Sequence, residues 1–256
     1  MDEKQADTVN RLKTFIIEHY EPRMVILYGS TARGDTDEFS DIDIMVIKDV
    51  IDGKKAVAKI LADTNNIVRD KHIMLRSVYE YSSQKDIPGT IVFSALHEGI
   101  VLYKRPEFDA DAVPLNSYED RKRDVIRKEY LEQTHDFMEK AERALECGQI
   151  YRCRDFLRFA AVRALKAVLV FRDVHPTRSI DLEFLFKSAR ELLPGIGKFK
   201  PVIEELNDYS PENKDDEFEK LRGMVGKTGF FVDGIVLLIT GGHTGPPLRS
   251  EGRKST

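Results

Sequence analysis

Residues 24–47 read Met-Val-Ile-Leu-Tyr-Gly-Ser-Thr-Ala-Arg-Gly-Asp-Thr-Asp-Glu-Phe-Ser-Asp-Ile-Asp-Ile-Met-Val-Ile. Met24–Tyr28 is a short run of strand-forming residues. Gly29-Ser30 then makes a turn that opens a helix. After ten intervening residues, the chain reaches Asp41-Ile42-Asp43 at the head of a second strand. There Ile42, Ile44 and Val46 alternate with Asp41, Asp43 and Met45, the period of a strand with two different faces.

The two ends of this unit suit two kinds of chemistry. A backbone entering a helix presents unpaired N–H groups, which attract phosphate. Gly29 allows a tight turn and close approach, the Ser30 hydroxyl adds a donor, and Arg33 lies one turn on with charge-assisted bonds to offer. At the other end, residues two apart on a strand face the same way, so Asp41 and Asp43 project together. Two ionised carboxylates this close repel each other unless a cation lies between them. Mg²⁺ prefers hard oxygen ligands and completes its shell with waters and substrate phosphates. A triphosphate at the turn and divalent metal at the acids is the arrangement that nucleotidyl transfer requires.

Working outward, apolar residues at helical spacing (Val9, Leu12, Phe15, Ile16, Tyr20) predict a helix over 4–20. A helix is expected over Gly53–Asp63, a third strand over Lys71–Val78, a helix over Pro88–His97 and an extended run over Gly99–Tyr103. On the third strand, Ile73 and Leu75 should face the core and Asp70, His72, Met74 and Arg76 the acids. Lys104–Leu115 carries Pro106 and Pro114 and lacks periodicity, as a linker does. Ser117 then stands as a helix cap with Asp120 at the third position of a capping box. Helices are expected near 119–147, 150–173, 181–193, 196–207 and 215–240. The second, with Phe156, Leu157, Phe159, Ala160, Val162, Leu165, Val168 and Leu169, should be the central helix of a bundle.

With these residues in view, the first part of the chain resembles the minimal nucleotidyltransferases of the DNA-polymerase-β superfamily. Gly29, Ser30, Asp41 and Asp43 match the family's signature, and Ala32-Arg33-Gly34, Ser40-Asp41-Ile42-Asp43 and His97 to Tyr103 match its local words. The resemblance implies ATP or another nucleoside triphosphate as substrate, two Mg²⁺ ions, and Asp41 and Asp43 as metal-binding catalytic acids. Gly29, Ser30 and Arg33 would bind the nucleotide. The family's third acid belongs on the next strand. Counting back from Arg76 and Ser77, His72 takes that position. Asp70 lies on the same face, roughly 6.6 Å along, and would serve as third catalytic and metal-binding acid if the strand slips or bulges. Residues 119–240 resemble the HEPN helical domain through Arg163 to Leu169, His175-Pro176-Thr177, Ile180 to Leu185 and Asn207 to Pro211. The Arg-and-His pair of HEPN RNases is missing: Arg172 and His175 are separated by two residues, and Ile180 stands where many relatives have His.

The expected fold class is therefore α+β: a polymerase-β-like mixed sheet with flanking helices over 1–104, a linker over 105–118, an all-α bundle over 119–240, and a disordered tail over 241–256. The expected activity is transfer of a nucleoside monophosphate to an acceptor hydroxyl on a protein or small molecule. A catalytically weakened nucleotide-binding regulatory module of the toxin–antitoxin type is the alternative, and an RNase a third reading. The 256 residues are 41 % hydrophobic and 33 % charged, a globular composition. A net charge of −4 argues against a protein that coats nucleic acid. No unbroken apolar run spans a bilayer, and the opening residues lack a signal-peptide core. Cys147 and Cys153 read as free thiols of a cytoplasmic protein. A homodimer through the helical part is a further expectation.

Overall fold

The computed structural model describes residues 3–35, 41–208 and 214–241. The chain divides into two compact units, Met1–Arg121 and Lys122–Thr256. The tail from residue 242 lies outside the described residues.

In the first unit, α1 (Glu3–Tyr20), β1 (Met24–Tyr28), α2 (Gly29–Arg33), β2 (Ile42–Ile47), α3 (Gly53–Asp63), β3 (Lys71–Arg76), α4 (Val78–Gln84), α5 (Ile91–Glu98) and β4 (Ile100–Lys104) follow in order. The sheet order is β3-β2-β1-β4. β1 runs antiparallel to β2 and β4, while β2 and β3 are parallel. Parallel neighbours need a crossover, and α3 supplies it. On one face, Val25, Leu27, Ile42, Ile44, Val46 and Ile73 pack with Val9, Leu12 and Ile16 of α1 and Ile60 of α3. The other face joins Met24, Ile26, Tyr28, Met45 and Ile47 to Tyr81, Val92 and Ala95 of α4 and α5, and to Phe108. Every residue of β1 is buried, as a central strand covered on both faces requires. Phe108 brings the proline-bearing stretch 105–118 into this same core, and Arg105 N–H donates to the Arg23 carbonyl at 2.9 Å.

The expected third strand ends two residues early, at Arg76, because Ser77 caps α4. Its hydroxyl accepts from Glu80 N–H at 3.1 Å, and the Glu80 carboxylate accepts from Ser77 N–H at 2.8 Å. This reciprocal capping box satisfies two orphan donors and starts a helix that strand periodicity had concealed.

The second unit is helical. It takes in the end of α6 (Tyr118–Val125) and then a π-helical turn (Ile126–Leu131), α7 (Glu132–Glu146), α8 (Ile150–Phe171) and α9 (Leu182–Leu192). A 3₁₀ segment (Pro194–Phe199), α10 (Lys200–Asp208) and α11 (Lys214–Thr240) complete it. The helix expected over 119–147 thus contains one wide turn. α8 is the central helix, with Cys153, Leu157, Ala160, Ala161, Ala164, Leu165, Ala167, Val168 and Val170 buried. Its many alanines let α7, α9 and α11 approach closely. Gly234 of α11 lies against Phe199: a Cβ there would stand 2.2 Å from the ring. Residues 218–240 are long and apolar enough to cross a membrane by length and composition alone. Leu221, Met224, Phe231, Val232, Ile235 and Ile239 of that stretch are buried in the unit, while Phe230 and Leu237 are exposed.

Candidate active site

The site grows from the adjoining ends of β1, β2 and β3. Tyr28 pairs with Asp43 across the antiparallel ladder, and Asp43 pairs with His72 across the parallel one. The three side chains therefore form a row on one face of the sheet. His72 Nδ1 lies 3.4 Å from Asp43 Oδ1, and Tyr28 Oη shares a 3.0 Å hydrogen bond with His72 Nδ1. Beside this row, β1 breaks into the Gly29-Ser30 turn. Gly29 has φ +76°, and a Cβ on it would stand 2.0 Å from Asp43 Oδ2. Only glycine leaves that space, so the turn and the acid are built around each other.

Asp41 is held to the same turn. The buried Thr31 hydroxyl, on the inner side of α2, donates to the Asp41 carbonyl at 3.1 Å. The Asp41 side chain is exposed, and β2 itself begins one residue later, at Ile42. Arg33 approaches from the end of α2. Its Nε donates to Asp35 at 3.1 Å, and Nη1 lies 3.7 Å from Glu98, too far for a hydrogen bond, so that buried nitrogen has no hydrogen-bond partner. Burial pushes the Asp43 carboxyl above the usual carboxylate range, and Asp41 adds to that rise. His72 and Arg33 pull against it. Burial, reinforced by Asp43, likewise raises the Tyr28 phenol, which is thus held as a neutral hydrogen-bonding group.

Gly29, Ser30, Arg33, Asp41 and Asp43 are therefore brought together by the fold. The charged neighbours that act on Asp43 are His72, Asp41 and Arg33. Asp70 stands one residue before β3, exposed, and its carbonyl accepts from Ile42 N–H at 3.2 Å. Among the described residues no three His, Cys, Asp or Glu side chains converge on one point. Two acids with open sides suit a cation that takes the rest of its shell from phosphates and water, which is how Mg²⁺ is ordinarily held. Arg33 Nη1 is thus a buried donor without a hydrogen bond, next to the Glu98 carboxylate. Sequence patterning missed Thr31 and Tyr28. A hydroxyl directly after Gly-Ser and a tyrosine closing an apolar strand were the signals available.

Residues 10–108 match the family model described as polymerase beta, nucleotidyltransferase, and residues 128–222 match that of the HEPN domain. The chain carries a nucleotidyltransferase domain of the polymerase-β type followed by a HEPN domain. Among solved structures it is similar to a nucleotidyltransferase-like protein from Exiguobacterium sibiricum 255-15, at 12 % identity and TM-score 0.47, over 91 % of this chain and 77 % of that one. It is also similar to the spectinomycin adenyltransferase of Enterococcus faecialis, solved with ATP and spectinomycin. There the identity is 11 % and the TM-score 0.42, over 90 % of this chain and 99 % of that one. No curated protein matches the chain.

Proposed function

We propose that the chain transfers a nucleoside monophosphate, AMP from ATP, to an acceptor hydroxyl. The observation that carries this reading is the Asp43 carboxylate lodged in the space that Gly29 leaves, with Thr31 tying Asp41 to the same turn. Asp41 and Asp43 would hold divalent metal, and Gly29, Ser30 and Arg33 would receive the triphosphate. Mg²⁺, when bound, supplies charge neutralisation for the phosphates and the developing transition state. The acceptor oxygen forms a bond to the α-phosphorus, the α–β bridging bond breaks, and pyrophosphate leaves with that electron pair. The acceptor proton passes to a base or to water. The third position falls to His72 by strand register, with Asp70 the nearest acid along the chain. Free thiols, with Cys147 exposed and Cys153 buried, and a substrate such as ATP go with a cytoplasmic location. Phe230 and Leu237 leave an apolar strip of α11 in solvent, which supports a homodimer through the helical unit.

Incubation with α-labelled ATP, Mg²⁺ and a panel of acceptors, with mass spectrometry of the protein for added AMP, tests the proposal. Label should reach an acceptor or the protein itself, and Asp43→Ala should abolish it. Equal behaviour of the parent and Asp43→Ala would remove the reading.

The pairing of Asp43 with His72 favours a second reading, a nucleotide-binding module with weakened catalysis. It expects ATP binding without turnover, unchanged by His72→Asp.

A further inference from the structure

Asp43 offers its two oxygens to unlike neighbours. Oδ2 lies in the space that Gly29 leaves, where a Cβ would stand 2.0 Å from it. Oδ1 lies toward β3, 3.4 Å from His72 Nδ1. The parallel register sets His72 directly beside Asp43, and its side chain is 58 % exposed. Tyr28 Oη shares a 3.0 Å hydrogen bond with the same nitrogen, but burial keeps that phenol neutral, so it brings no charge. Asp70 is exposed, stands before β3 begins and is not among the charges that act on Asp43. The corner between β2 and β3 therefore pairs one carboxylate oxygen with one imidazole nitrogen. The turn side differs: Asp41, whose backbone Thr31 ties to the turn and whose charge acts on Asp43, adds a second carboxylate.

These two donor sets suit different cations. Carboxylate and imidazole bind first-row divalent ions at about 2.0–2.2 Å, so donors on neighbouring corners of one shell stand about 3 Å apart. From 3.4 Å, a small turn of the exposed His72 ring closes that corner. The ion would then replace Tyr28 as the partner of Nδ1, a trade the neutral phenol does not oppose by charge. Imidazole nitrogen suits transition ions, whereas Mg²⁺ takes hard oxygen ligands and holds on to its waters. A carboxylate in the place of His72 would make both sides alike. The imidazole makes them unequal.

We propose that the two cation positions are chemically unlike: Mg²⁺ with the triphosphate on the turn side of Asp43, and a first-row transition ion held by Asp43 Oδ1 and His72 on the β3 side. This rests on the transfer site proposed above and adds to it a nitrogen ligand and a class of metal. The test is Mn²⁺ binding to the full chain in the presence of α,β-methylene-ATP and excess Mg²⁺, read by calorimetry and by pulsed electron paramagnetic resonance. Mn²⁺ should bind one-to-one against the Mg²⁺, and its spectrum should show coupling to an imidazole nitrogen. His72→Asp gives the corner oxygen alone, so the nitrogen coupling should vanish and Mg²⁺ should displace Mn²⁺ about tenfold more readily. His72→Gln, which offers an amide oxygen, should lose the coupling as well. Bound Mn²⁺ without nitrogen coupling, or coupling that survives both His72 variants, would overturn the assignment and leave the transfer reading standing. Failure of the parent to bind the nucleotide with either ion would overturn both.

Discussion

The two units differ in how far apart in the chain their decisive contacts lie. In the first, Gly29, Thr31, Asp41 and Asp43 fall within fifteen consecutive residues, and one strand–turn–strand brings them together. In the second, the packing of Gly234 on Phe199 joins residues far apart along the chain. A local unit writes its site into a spacing; a helical unit writes only its periodicity, and its close contacts arise when distant helices meet.

The comparison can be broken most severely at Asp43. Asp43→Ala should lower transfer by roughly 10³-fold, the scale of losing a preorganised charge at a reacting centre. Folding should be retained, as measured by single-turnover kinetics and circular dichroism. Activity within tenfold of the parent would sever the spacing from the chemistry. Gly29→Ala should come next. Its Cβ would have to displace the Asp43 carboxylate and hold a non-glycine residue at φ +76°, a strain of about 1–3 kcal/mol. Both melting temperature and nucleotide affinity should fall.

Gly234→Ala probes the other unit. Crowding the Phe199 ring should cost about 1–3 kcal/mol in denaturant unfolding. Nucleotide affinity should be unchanged where the protein is folded; a drop would show that the units are coupled. Thr31→Val removes the tether to Asp41 and leaves its buried surroundings apolar, so about 1 kcal/mol of stability should go. The apparent metal affinity, read by calorimetry with Mn²⁺, should weaken with it.

The smallest effect concerns acid. Arg121 holds the Asp86 carboxyl below the usual carboxylate range through bonds of 2.6 and 2.8 Å, against an opposing rise from burial. A depressed acid stabilises the fold fully above its unfolded pKa of about 3.9 and loses that contribution as pH falls toward the folded value. Asp86→Asn should therefore melt below the parent at pH 7 and approach it near pH 3. An equal gap at both would refute the linkage.

Much of this site was legible because its determinants are local. The row formed by Asp43 and His72 followed from counting residues back along β3, and the parallel register places His72 there. What escaped was the side chain's use of neighbours. Thr31 reads as one more helix residue until its hydroxyl is seen on the Asp41 carbonyl. The Ser77–Glu80 capping box was present in the sequence but lay under an apolar alternation that favoured extending the strand. The wide turn at Ile126–Leu131 has no compositional mark, since π-helical geometry depends on what the neighbouring helices accept.

The contact between Gly29 and Asp43 also sets an order in which the two positions can change. While the aspartate is present, a side chain at position 29 collides with it. Once the aspartate is replaced by alanine, the collision with the carboxylate is gone, and a tight 3.2 Å approach to the remaining Cβ and the positive φ are what resist. Substitutions at the two positions are therefore non-additive: Gly29→Ala should cost less in an Asp43→Ala background than in the parent. A lineage leaving this chemistry would shed the acid first and the glycine afterwards, so the glycine can outlast the activity it once made room for.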